Sequence, residues 1–416
     1  MGLSRGELTR AMQAVVAAVE RAVIRLGGVL RLAPVGWAVW PTCAAGLALR
    51  LWVAFHSVGS DDAVTWEGFA RSVRFNGLAA TYRLDSQFNH PPLMGEMAAA
   101  AQHIAQRYGL AFAFVFKIPA ILASTVLTFL LMRRVKLSWP WLLVLVLNPL
   151  DVMVSAYHGN TDMVCVLFAV AATMAVAAER PLIAGLFLGA AINVKLIPVL
   201  LIAPLLICLP TYRARIWMLF GLGFGVIPFV PILLTARKAF VHNAVDYDSV
   251  GHPFGLGLFA YGFEPAFPKF AAGMWKFIRA HGKHGLLAVG FLFSLLSRWT
   301  RTLDTYRVAA FVFTIFLVLA PGFGVQYLIY TAPFLVMAFP RRGLVYLVLA
   351  SAYAFSLYHW YWTKTFPPQS HFFGWPDLNS ILLGFVVWLA LAGYFATDLK
   401  ELGTAIWKNL RRGAST

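Results

Sequence analysis

The chain has 416 residues, 60% of them hydrophobic and 12% charged, with a mean hydropathy of +0.73. Soluble domains are about 45–50% apolar and about 25% charged, so this composition excludes an ordinary soluble protein and fits a membrane protein with many helices. The net charge of +17 does not point to nucleic acid, because the basic residues punctuate the gaps between apolar runs, as the positive-inside rule requires, and do not cluster on a polar segment.

In chain order, the first element is a basic amphipathic arm. Leu8, Met12, Val15, Val19, Val23, Leu26 and Leu30 recur at steps of three or four, with Arg10, Arg21, Arg25 and Arg31 on another face. Such a helix over 3–31 is expected to lie on the inner leaflet, with a partly disordered tail as the blander reading. Apolar runs follow at 35–56, 111–131, 137–157, 163–178, 182–194, 196–210, 216–235, 284–297, 307–320, 326–339, 344–360 and 379–396. They predict an all-α polytopic protein with about 12 transmembrane helices and both termini in the cytoplasm. On that side fall Arg133 with Arg134 and Lys136, Arg213 with Arg215, Arg298 with Arg301 and Arg307, Arg341 with Arg342, and the basic tail. Several runs are shorter than the roughly 20 residues of a full crossing, which is tolerated where a broken helix lines a polar cavity. Two outer connectors are long: 57–110, with predicted helices from Ala63 to Phe75 and from Leu93 to Tyr108, and 236–283. The expected division is an arm over 1–34, a membrane module with the first outer connector over 35–235 and a second membrane module with the long connector over 236–416. Cys43, Cys165 and Cys208 have unrelated spacings and predict neither disulfides nor a metal cluster.

Alternating sides along the chain places the chemically unusual residues together on the outer face. Asp61 and Asp62 end the first span. FNHPPL (88–93), HGNTD (158–162), INVKLIP with Asn193 and Lys195, and PGFGVQY (321–327) with Gln326 and Tyr327 all fall on the same side, as one outward-facing chamber. Asn148, Asp151, Ser155 and His158 step by three or four residues and so predict one polar helical face that Asp162 continues. A carboxylate inside a membrane marks a functional cavity by default. Blander readings stand beside each: Asp151 as a local cap, HGNTD as a polar turn, Lys195 as a snorkelling lysine, HPP as a stiff corner.

These residues carry a family resemblance. Asp62-Ala63-Val64-Thr65-Trp66-Glu67-Gly68-Phe69-Ala70, with aromatics four and seven places after the aspartate, followed by His90-Pro91-Pro92-Leu93, resembles GT-C-fold glycosyltransferases that use polyprenyl-phosphate sugars. The nearest pattern is that of the protein O-mannosyltransferases and their bacterial relatives, over about residues 36–210. Ala63 stands where that pattern has a second acidic residue, and Met94, Gly95 and Glu96 where a basic one often follows. The resemblance implies GT-C architecture, with a long first outer loop carrying short juxtamembrane helices, in a bacterial inner membrane. It implies that the module over 35–235 is catalytic and the one over 236–416 variable. It also implies inverting transfer from a polyprenyl-phosphate-linked sugar to a lipid or glycan acceptor on the outer side. Asp62 is then the expected general base, favoured over Asp61, which positions the acceptor or caps the turn. Partial desolvation is expected to raise the basicity of that carboxylate. Lys195 is the first candidate for the donor phosphate, with His90, His158, Asn160, Asp162, Asn193, Gln326, Tyr327, Arg237 and Lys238 as further donor contacts. No cofactor is required, although Asp62, His90, His158 and Asp162 offer ligands for a divalent cation. The rival readings are a proton-coupled secondary transporter and a non-catalytic membrane scaffold.

Overall fold

Among the described residues, every apolar run read from the sequence becomes helical, because lipid leaves backbone groups no hydrogen-bond partner outside their own segment. The computed structural model describes residues 39–135, 139–247, 254–257, 263–264, 266–300, 304–320, 322, 324–365 and 378–413, and no strand occurs among them. The arm over 3–31 lies outside the described residues.

The first apolar run forms α1 (Val39–Phe55) and stops at a turn over 56–60. The first long connector folds as α2 (Asp61–Asn76), α3 (Leu78–Leu84) and α4 (Pro92–Tyr108), with the two predicted helices in place. Asp61 and Asp62 therefore open a new helix and do not end the first span; the Ser60 turn separates the two, and the carboxylates sit at the positive end of α2. Then come α5 (Phe112–Arg134), α6 (Trp139–Val146), and α7 (Pro149–Val152), which runs on as a π-turn over Met153–Tyr157. This segment bends by 116° into α8 (Asp162–Ala177). α9 (Pro181–Val194) ends at Lys195, and a 3-10 turn leads into α10 (Ile202–Cys208). α11 (Tyr212–Gly225) bends by 62° into α12 (Phe229–Thr235), followed by the short α13 (Arg237–Phe240). The second half contains α14 (Pro268–Thr300), α15 (Thr305–Leu319), a 3-10 turn over Val325–Ile329, α16 (Ala332–Ala338), α17 (Pro340–Thr365) and α18 (Leu378–Gly413). α14 starts inside the connector predicted over 236–283, so the last part of that connector is helix.

The result is an all-α membrane protein, in which the described residues hold fewer self-sufficient crossings than the expected 12. Phe112–Arg134 and Asn379–Arg411 are each long and apolar enough to span a bilayer, and each bent pair adds one if it counts as a single span. Among the described residues, five further apolar stretches, Val39–Phe55, Pro181–Val194, Ile197–Cys208, Thr305–Leu319 and Val325–Ala338, are shorter, at 10–17 residues. They are interrupted by polar turns, and those turns build the site.

The predicted polar face over 148–158 is also divided. Asn148 and Pro149 break the helix, with the Asn148 side chain capping the Asp151 amide, and the π-turn then adds a residue to the next turn and changes the phase. Asp151 consequently points inward to Arg50 (3.1 Å) and accepts from Ser124 (2.7 and 2.9 Å), away from His158.

α9 and α11 pack through glycines. A Cβ on Gly189 would lie 2.6 Å from the Gly225 Cα, and one on Gly221 would lie 2.2 Å from the Leu182 carbonyl oxygen. Small residues four apart let membrane helices approach this closely. Asn193 joins the seam, its amide donating to Gly225 O (2.6 Å) and Gly189 O (3.2 Å). This contact fixes the end of α9, and with it Lys195.

Candidate active site

Two turns interlock to make the site. The turn before α2 and the turn before α8 lie back to back, where Ser60 donates from both its backbone amide (3.2 Å) and its hydroxyl (2.6 Å) to the His158 carbonyl. Both turns require glycine. Gly59 has φ +110° and a Cβ there would meet the Tyr157 carbonyl at 2.3 Å; Gly159 has φ +81° and would meet Ala63 at 2.7 Å. Beneath them Lys117, fully buried on α5, donates to the Ser57 carbonyl at 2.9 Å. That lysine was not anticipated, although a cation inside an apolar helix is itself a signal.

The interlock brings Asp62 to the HGNTD turn. His158 Nε2 lies 3.0 Å from Asp62 Oδ2, and the Asn160 amide donates to the same oxygen at 2.6 Å. The Asp62 side chain nevertheless stays 41% accessible, so the carboxylate keeps an open face. Burial alone would raise its pKa, but neighbouring His158, the more distant Lys195 and the hydrogen bonds from His158 and Asn160 outweigh it and hold the carboxyl well below the usual range. The expected rise in basicity is thus reversed, because the neighbouring donors and the Lys195 charge prevail over desolvation.

Next to this pair lies a second one. Asp162, the first residue of α8, is fully buried, and its Oδ1 accepts from Lys195 Nζ (2.7 Å) and the Tyr330 hydroxyl (3.0 Å). Its Oδ2 has no hydrogen-bond partner among the described residues. The Lys195 ammonium also sits 4.7 Å from the centre of the Tyr327 ring. His90 approaches from the other side, its ring 4.2 Å from that of Trp66, while Phe69, Phe88 and Phe116 wall the cluster. Burial, reinforced by Lys195 and opposed by Asp62, pushes His90 down to about 3, so its ring is neutral at physiological pH. The two aromatics of the Asp-led stretch therefore hold the HPP corner against α2.

The structure thus gathers Asp62, His90, His158, Asn160, Asp162, Lys195 and Tyr327. It places the remaining candidates elsewhere. Asp61 is exposed and lies within electrostatic reach of Tyr157. Asn193 faces the α9–α11 seam. Gln326 is half-buried on the 3-10 turn, and Arg237 and Lys238 are exposed on α13, which packs against α3. Among the described residues, no three His, Cys, Asp or Glu side chains group as a metal site; Asp162 is paired with Lys195 instead. Sequence reasoning missed Tyr330 and Tyr358, one donating to Asp162 and the other bonded to His158 (2.9 Å), because a tyrosine in an apolar run carries no signal of its own.

A helical membrane protein whose polar turns converge on an accessible carboxylate and a buried lysine has the makings of a membrane transferase. The chain matches glycosyltransferase family 87 over residues 88–321, more than half its length, and belongs to that family. It is a glycosyltransferase enzyme, which agrees with the GT-C resemblance and sets aside the transporter and scaffold readings. His90, His158, Asn160, Asp162 and Lys195 fall within the match, whereas Asp62 precedes it. No curated protein matches the chain.

Proposed function

We propose that the protein transfers a sugar from a polyprenyl-phosphate donor to an acceptor hydroxyl on the outer side of a bacterial cytoplasmic membrane, with inversion and with Asp62 as general base. The acceptor oxygen bonds to the anomeric carbon and its proton passes to Asp62. The bond from that carbon to the phosphate oxygen breaks, and the lipid phosphate leaves with the electron pair. The observation that carries this reading is the Asp62 carboxylate, tethered through one oxygen by His158 and Asn160 yet 41% accessible. Lys195, close enough to depress Asp62, is the cation for the leaving phosphate. A phosphate arriving there would offset the lysine charge and raise Asp62 toward its ordinary range, so the base strengthens once the donor is bound.

The test is a transfer assay with radiolabelled polyprenyl-phosphate mannose and glucose and a membrane extract as acceptor. Asp62→Asn should lower kcat by about 10²–10⁴-fold, the usual weight of a general base. Asp61→Asn should cost far less, since Asp61 lies outside the cluster. Full transfer by Asp62→Asn overturns the assignment.

A further inference from the structure

His158 contacts three things at once. Its carbonyl holds the Ser60 turn, its Nε2 faces Asp62, and its Nδ1 lies 2.9 Å from the hydroxyl of Tyr358 on α17. Both partners are tightly placed: His158 is 7% and Tyr358 1% exposed. Tyr358 comes from the opposite half of the chain, 200 residues on.

The proton positions follow from the donor and acceptor inventory. An ionised carboxylate only accepts, so Nε2 must carry hydrogen to bond Asp62. A neutral ring then has its lone pair at Nδ1, and the Tyr358 O–H donates to it. The opposite tautomer would turn a lone pair on Nε2 against the negative oxygen of Asp62. We propose that Tyr358 is a positioning residue: it fixes His158 as the Nε2–H tautomer, and the His158 N–H in turn holds Asp62 Oδ2 so that the rest of the carboxylate faces the acceptor hydroxyl. His158 keeps its proton throughout; the acceptor proton goes to Asp62. Tyr358, His158 and Asp62 form a chain in which only the last member touches substrate. This inference rests on the reading of Asp62 as the base.

A spectroscopic experiment reads the tautomer without knowledge of the substrate. Solid-state ¹⁵N NMR of histidine-labelled protein in lipid, with His158 assigned through its loss in His158→Gln, should show the Nε2–H form in the wild type. In Tyr358→Phe that signal should become a mixture or move to Nδ1–H. A wild-type ring protonated at Nδ1, or a Tyr358→Phe spectrum unchanged from wild type, overturns the proposal. If Tyr358→Phe does not fold, the wild-type spectrum decides.

The polyprenyl-phosphate transfer assay separates positioning from packing. Tyr358→Phe should lower kcat roughly 10- to 100-fold with little change in KM, as loss of an orienting group does. In a His158→Gln background, where an amide N–H replaces Nε2–H and needs no tautomer, adding Tyr358→Phe should cost less than about twofold, because nothing remains for the hydroxyl to orient. An equal loss in both backgrounds makes the hydroxyl merely structural. If Asp62→Asn is inactive while Tyr358→Phe is fully active, the chain fails alone; if Asp62→Asn transfers normally, the base assignment itself has failed.

Discussion

At the residue scale, the charges in this protein divide by what surrounds them. Asp62 keeps an open face, whereas Asp151 is enclosed. Arg50 and Asp151 meet at 3.1 Å with side chains 3% and 7% exposed, and Arg50 also donates to the carbonyls of Val146 (2.8 Å) and Gly46 (3.0 Å). The pair ties α1 to α7, just below the turn that presents Asp62. Removing one partner of a buried pair leaves an uncompensated charge and costs about 3–5 kcal/mol. Asp151→Ala should therefore lower the unfolding temperature of the purified protein markedly, and Asp151→Asn, which keeps an acceptor for Ser124, should lower it less. An unchanged melting temperature in Asp151→Ala would show that the pair is dispensable. Arg50 was legible as a lone cation in the first apolar run, but its partner lies 101 residues away and no local pattern links them.

At the element scale, the position of Lys195 depends on a backbone-to-backbone seam. Gly189 and Gly225 approach so closely that a Cβ on either would sit within 2.7 Å of the other's Cα. Backbone cannot rotate away, so even a methyl forces the helices apart, and overpacking of this kind costs typically about 1–3 kcal/mol. Gly189→Ala and Gly225→Ala should both lose thermal stability and transfer activity, because the shift carries Asn193 and Lys195 with it. Gly223, on the same helix, has open space where a Cβ would go, so Gly223→Ala should be neutral or slightly stabilising. Equal effects at Gly223 and Gly225 would refute the seam. The glycine spacing is visible in GLFLG and GLGFG, but which helix each stretch meets is settled only by packing.

At the scale of the whole molecule, the site is assembled from both halves. The first contributes the α2 turn, the HPP corner, the α8 turn and the end of α9; the second contributes Tyr327, Tyr330 and Tyr358. The orientation proposed for it is directly measurable. With Cys43, Cys165 and Cys208 replaced by alanine, a cysteine at exposed Lys238 should react with a membrane-impermeant maleimide on intact cells. A cysteine at exposed Lys408 on α18 should react only after permeabilisation. The reverse pattern would place the site on the cytoplasmic side.

The sequence by itself determined the helical membrane class, the placing of helices on the apolar runs and the convergence of Asp62, His90, His158, Asp162 and Lys195. These follow from local hydropathy and from polar residues standing at the ends of apolar runs, which need no knowledge of three-dimensional contacts. Tertiary structure alone decided that Asp151 belongs to Arg50, that Asn193 clamps a helix seam, that Asp62 is held below the usual carboxylate range, and that Tyr358 reaches His158. Those depend on distances between residues far apart in the chain, on a π-turn that changes a helix's phase, and on the balance of burial against neighbouring charge.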